Sequence, residues 1–114
     1  MYSDFELTIE AKRKLDELTA LLNKNNGIQI GISGYTDARG EESFNIELSE
    51  KRAKSAYNYI VSQGINSDRL SYVGYGESKP IYNCENKKGC TEDEYAKNRR
   101  IEFKVHKSTL VLAY

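Results

Sequence analysis

The run Gly34-Tyr35-Thr36-Asp37-Ala38-Arg39-Gly40 is followed by Asn45, Leu48-Ser49 and Arg52-Ala53. It sets one carboxylate in a glycine-bounded turn and one guanidinium about two turns into the helix that follows. A guanidinium offers a planar fork of donors that pairs bidentately with a carboxylate, and a carboxylate accepts from an ammonium. Asp37 and Arg52 together therefore suit an amino acid whose amine and carboxylate are both free, held at two points. The competing reading is that Asp37 and Arg52 pair with each other, or that Asp37 satisfies the amides of its own turn, as aspartate often does. Spacing alone favours the competing reading.

Other reactive side chains are few. Cys84 and Cys90 stand six positions apart in a polar stretch, where they can close a short disulfide, stay free or bind metal. Two thiols with no nearby histidine or second cysteine pair fall short of the four ligands of structural zinc. A disulfide ring this small restrains less than the roughly 3 kcal/mol assigned to a 15-residue loop. His106, the one histidine, has no serine or cysteine partner in a nucleophile motif. Paired with Glu41 or Glu42, Asp37 would make a carboxylate pair for glycan hydrolysis. That chemistry needs one acid with a raised pKa, and nothing in this polar turn buries either glutamate. No catalytic residue, metal or cofactor is assigned.

The elements that must position these residues follow from periodicity. Apolar residues Ile9, Leu15, Leu18, Leu21 and Leu22 recur at mostly helical spacing and predict a helix over 8–22. Thr8 is its N-cap, without the glutamate of a full capping box. Asn25-Asn26-Gly27 is expected to stop it in the left-handed conformation. Ile28, Ile30 and Ile32 alternate with polar or small residues and predict a strand ending at Gly34. A second helix over 44–63 is expected to bury Ile46, Leu48, Ala53, Ala56, Tyr57, Ile60 and Val61 and to end at Gly64. Residues 68–76 read as a turn entering a second strand, and 100–105 as a third. Between them, 77–97 is a long polar loop with a helical turn near 91–96. A loop of that length in a compact domain is functional or stapled. The order implies an α/β sandwich with helices on one face of a mixed sheet.

Composition bounds the partners. The 114 residues fit one domain, and 17 basic residues balance 17 acidic ones, so no net field draws the chain to nucleic acid or an anionic membrane. The apolar runs fall far short of the roughly 20 residues of a spanning helix. Tyr57, Tyr59 and Tyr72, three of nine tyrosines, are expected in the core or at its edge.

Several separated blocks carry a family resemblance. They are Gly34-Tyr35-Thr36-Asp37 with Gly40, Asn45, Leu48-Ser49 with Arg52-Ala53, Gly64-Ile65, Arg69-Leu70, Gly74-Tyr75-Gly76-Glu77 with Pro80, and Asn98-Arg99-Arg100-Ile101-Glu102. In this order they resemble the OmpA-like peptidoglycan-binding domain, a family that also includes the peptidoglycan-associated lipoprotein and flagellar stator periplasmic domains. The resemblance covers about 7–105 of a single domain spanning 1–114, with 106–114 an extra tail. It implies a βαβαβ-type fold that anchors an outer-membrane protein to the cell wall, on the periplasmic side and without catalysis. The motif aspartate and helix arginine of the family grip the ammonium and carboxylate of diaminopimelate in a peptidoglycan stem peptide. These match Asp37 and Arg52. Thr36, Asn45 and Leu48 match positions lining the same pocket. Arg99 and Arg100 match a basic pair of which one approaches the ligand or fixes the loop. The two cysteines resemble a family variant with a cysteine pair in this loop, which implies a Cys84–Cys90 disulfide and export.

The departures carry expectations too. The family opens with a strand ending in Phe-Asp; here Tyr2 aligns with the Phe and Ser3 replaces the Asp, so the first strand is expected to be truncated. The apolar tail after Ser108 is expected to fill that place, within one molecule or by swapping, giving a monomer or a strand-swapped dimer. Tyr35 replaces a histidine as a packing residue. Membrane association is expected only through a preceding domain or anchor. The alternative function is a protein-binding module of the envelope with a vestigial pocket.

Overall fold

The computed structural model describes residues 7–82, 84 and 89–107. The expectations for Tyr2, Ser3 and the tail after Ser108 lie outside the described residues.

The first helix, α1, spans Ile9–Lys24, and the Thr8 hydroxyl accepts from the amide of Ala11 at 3.0 Å. Leu15 and Leu22, seven residues apart, form its buried stripe. Ile9, in the first turn, is 78% exposed rather than buried, and Leu21, about 100° around the helix from Leu22, also faces solvent. The stop at 25–27 works differently from the expectation. No described non-glycine residue has positive φ. Asn25 instead stays at φ −131° and donates its amide to Leu22 O and its side chain to Leu21 O. The Arg69 guanidinium donates to the carbonyls of Leu22, Asn25 and Ile28, at 2.9, 2.6 and 3.2 Å. A cation thus takes up the carbonyls left open at the helix end, the role a left-handed cap would have had.

Strand β1 (Ile28–Tyr35) leads into α2 (Glu42–Ser62), a single 3₁₀ turn at Ser67–Arg69, β2 (Leu70–Gly76), α3 (Glu92–Asn98) and β3 (Arg100–Lys107). Gly64, at φ +99°, follows α2 as expected. The sheet runs β2-β1-β3, with β1 parallel to β2 and antiparallel to β3. Ile32 lies between Tyr72 and Phe103 in this register. The core joins Leu15 and Leu22 of α1, Ile30 and Ile32 of β1, Ala53, Ala56 and Ile60 of α2, Ile65 and Leu70, so α1 and α2 cover the same face of the sheet. The fold is therefore the expected α/β arrangement on a mixed sheet. Ile46 departs from the expected core at 41% exposure, while Tyr57, Tyr59 and Tyr72 sit half-buried around it.

Two glycines set how closely α2 approaches the strands. A Cβ on Gly34 would collide with the Ser49 carbonyl oxygen, and one on Gly74 with the Glu50 amide. Ser49 itself is fully buried, donating its hydroxyl to Ile46 O and accepting from the amide of Gly76. This contact holds the start of α2 over the ends of β1 and β2, where Asp37 and Asn45 lie. Among the described residues no helix is long and apolar enough to cross a membrane.

Candidate functional site

The turn after β1 is pinned from three sides. The amide of Thr36 donates to Gly76 O at 2.9 Å, which carries the β1–β2 pairing one step past the strands. Gly40 takes φ +96°, a left-handed conformation that glycine adopts at no steric cost. Asn45, buried on the first turn of α2, donates to Arg39 O at 3.0 Å and to Glu77 Oε1 at 3.0 Å. Asn45 therefore ties the Asp37 turn to the loop after β2. Thr36 is buried as well, and its hydroxyl has no partner among the described residues.

Asp37 is buried, with only 9% of its side chain exposed, yet both carboxylate oxygens are engaged. Oδ1 accepts from the Arg39 amide at 2.9 Å and from Arg39 Nε at 3.3 Å. Oδ2 accepts from Arg39 at 2.8 Å and from Arg99 at 2.7 Å. Burial pushes this carboxyl up, but the side-chain and backbone hydrogen bonds of Arg39 and the side-chain bond of Arg99 outweigh it and hold it at about 2. The same contact raises the Arg39 guanidinium above its ordinary range. Asp37 is therefore ionised throughout the neutral range.

A second carboxylate faces this pair. Glu92, the first residue of α3, accepts from Arg39 at 3.2 Å and approaches Arg99 at 3.6 Å. The guanidinium of Arg39 also lies 4.0 Å over the ring of Tyr95. The described residues of the loop before α3 are tied at several points. Cys84 and Cys90 are joined in a disulfide with Cα atoms 5.3 Å apart. Fully buried Asn98 accepts from the amides of Ile81 and Tyr82, at 2.8 and 3.0 Å, and donates to Tyr82 O at 2.9 Å. Thr91 and Glu94 form a reciprocal capping box at the start of α3.

Arg99 and Arg100 separate in role. Arg99 turns to Asp37. Arg100 donates to Lys79 O at 2.8 Å and Asn98 O at 3.2 Å, pairs with Glu102 and lies 3.9 Å over the ring of Tyr35. Tyr35, buried and stacked on Tyr75, is the packing residue its position implies.

Arg52 is half-buried on α2 and lines a groove of about 410 Å³ together with Arg99 and Arg100, over a floor that includes Leu15, Ala56 and Phe103. Asp37, Thr36, Asn45 and Leu48 are not among the lining residues. The sequence-derived set thus falls into two parts, a carboxylate at the sheet rim and a guanidinium in the groove, with Arg99 reaching both. Leu48 is half-buried on α2 one turn before Arg52. Glu41 and Glu42 are exposed, so no second buried acid stands beside Asp37 in this turn.

Arg39 and Asn98 stand within the sequence blocks described above but without a role, while Glu92 and Tyr95 lie outside those blocks. The available signals were an aspartate two residues before an arginine in a tight turn, and Thr91 three residues before Glu94. The second was readable as a capping box that puts Glu92 in the first helical turn.

The OmpA family profile matches residues 2–94. A peptidoglycan-associated lipoprotein of Pseudomonas putida is 38% identical over 103 residues, covering 90% of this chain and 58% of its own length. Outer membrane protein P5 of Haemophilus influenzae is 32% identical over 105 residues, covering 85% of this chain and 29% of its own. The chain therefore spans little more than half, or less, of these relatives. The crystal structure of the peptidoglycan-associated lipoprotein from Burkholderia pseudomallei superposes with a TM-score of 0.82 over 93% of this chain and 86% of that one, at 24% identity. A putative MotB-like protein from Desulfovibrio vulgaris superposes with a TM-score of 0.74 over 91% of this chain and 64% of that one, at 30% identity.

Proposed function

The chain belongs to the OmpA family, and from that premise we propose that it binds peptidoglycan non-covalently through the diaminopimelate of a stem peptide. The relatives named for peptidoglycan association support the polymer. The observation that carries the residue-level reading is the buried, ionised Asp37 bridged through Arg99 to the groove that holds Arg52. A carboxylate and two guanidiniums suit a side chain that carries an ammonium and a carboxylate on one carbon. Asp37 takes the ammonium and Arg52 the carboxylate, with Arg99 between them. The unpartnered buried hydroxyl of Thr36 has hydrogen-bonding capacity to spare beside Asp37. Asn45 fixes the turn, and Leu48 supports the helix face from which Arg52 projects.

The same reading makes the domain a binder without catalysis. Glycan hydrolysis by a carboxylate pair needs an acid whose pKa is raised, whereas Asp37 is held at about 2 and its neighbours Glu41 and Glu42 are exposed. One domain of this kind, on the periplasmic side of the outer membrane and joined to an anchoring part, would tie that membrane to the wall.

Calorimetric titration with a diaminopimelate-containing stem peptide, beside the same peptide carrying lysine, tests the reading. Binding is expected for the first alone. Asp37→Ala should abolish it, and Arg52→Lys should weaken it strongly, because a point charge does not reproduce the fork. Equal binding of the lysine peptide, or retained binding in either variant, overturns the assignment. Absence of binding to both peptides would favour the protein-binding alternative.

A further inference from the structure

We propose that Arg39 is a built-in competitor for the ligand ammonium, seated on Asp37 in the empty domain and passed to Glu92 when ligand enters. The inference rests on the stem-peptide reading of the site.

Its starting point is that Asp37 has no idle oxygen. Arg39 covers both oxygens with Nε at 3.3 Å and a terminal nitrogen at 2.8 Å, while Arg99 holds Oδ2 at 2.7 Å. An incoming ammonium must displace one of the two guanidiniums. Arg99 is the harder to move: it is the residue that closes α3 and opens into β3, and two-thirds of its side chain is covered. Arg39 stands in an exposed turn with 49% of its side chain in solvent.

Arg39 also has somewhere to go. Its other terminal nitrogen already reaches Glu92 at 3.2 Å, and Glu92 is 69% exposed, so strengthening that pair needs no burial of charge. The ring of Tyr95, 4.0 Å below the guanidinium, offers a face on which the fork can pivot while keeping a cation–π contact. The backbone amide of Arg39 stays on Oδ1 throughout, so the turn that presents Asp37 survives the exchange. Because Arg39 is half-exposed, solvent screens its side of the pair and the competitor can yield. It scales the apparent affinity by the fraction of time the site is free of it.

The test is a double-mutant cycle read by calorimetry with the diaminopimelate-containing stem peptide. Arg39→Gln should bind the peptide roughly fivefold more tightly than the parent, as for a competitor that leaves the site free about one-fifth of the time. Arg39→Lys, which keeps the charge but loses the fork, should fall between them. Glu92→Gln should bind more weakly than the parent. In the Arg39→Gln background, Glu92→Gln should have a much smaller effect, because only Arg99, at 3.6 Å, is left beside it. If Arg39→Gln binds as the parent does, or more weakly, Arg39 is inert or touches the ligand and the competitor role is wrong. If Glu92→Gln weakens binding equally in both backgrounds, the transfer to Glu92 is wrong. Binding by none of the five proteins would refute the stem-peptide reading itself. In that case NMR titration of the Asp37 carboxyl still decides the seating: a midpoint unmoved by Arg39→Gln would overturn it.

Discussion

Replacing Asp37 with Asn removes one negative charge and leaves the shape of the turn, so its cost should follow the ionisation of that carboxyl. In the fold the carboxyl titrates at about 2 rather than the 3.8 of an unconstrained aspartate. Each pH unit between folded and unfolded values corresponds to about 1.4 kcal/mol, which gives roughly 2 kcal/mol in favour of the ionised native state. The side-chain and backbone bonds of Arg39 lead this lowering and the Arg99 bond adds to it; because Arg39 is half-exposed, solvent screening makes roughly 2 kcal/mol an upper figure. The sign follows from the lowered folded value. The stabilisation is complete above the unfolded pKa and disappears as pH falls through the folded one, between about 4 and 2. Urea unfolding of the parent and Asp37→Asn should therefore differ by up to roughly 2 kcal/mol at pH 7, and the two curves should draw together below pH 3. A difference that is the same at pH 7 and pH 2, or that grows toward acid, would show that Asp37 acts through packing rather than charge.

Other consequences follow from the same geometry. Asn98→Ala leaves two amides and one carbonyl of the 81–82 segment without their partner. At about 1 kcal/mol for each part-buried group left unpaired, the low end of the range for orphaned groups, it should destabilise the domain by roughly 3 kcal/mol in urea unfolding. Intact stability in that variant would mean the loop hangs on the disulfide alone. Gly34→Ala drives a methyl into the Ser49 carbonyl and should cost about 3 kcal/mol by the same measurement, at the upper end of overpacking losses. An unaffected unfolding midpoint would show that α2 can retreat from the sheet.

Why some of this was legible in the sequence and some was not comes down to the reach of the interactions. Helix α1, strand β1 and helix α2 announce themselves because their signals are local: Leu15 to Leu22 at seven-residue spacing, isoleucine alternation at 28–32, and a glycine stop at 64. Asp37 and Arg52 were visible as charges of opposite sign near a glycine-bounded turn. Spacing within one chain segment could not say that Arg99, 62 residues away from Asp37, completes the link between them. Glu92, 53 residues from Arg39, is invisible for the same reason, since nothing in a polar loop states which turn it will face. The end of α1 makes the point in the other direction. Asn25-Asn26-Gly27 carries a sequence signature of a left-handed cap, yet a guanidinium from position 69 meets those carbonyls and the backbone stays at negative φ. Local signatures state what a segment can do unaided, and a long-range cation relieves it of the need. The acidic turn shows the same logic at the site. Left to itself Asp37 would be a turn-capping aspartate satisfied by the Arg39 amide, and it still is. What converts it into a candidate receptor for an ammonium is Arg99, which supplies a second cation from outside the turn, so that one guanidinium can leave without stripping the buried carboxylate of compensation.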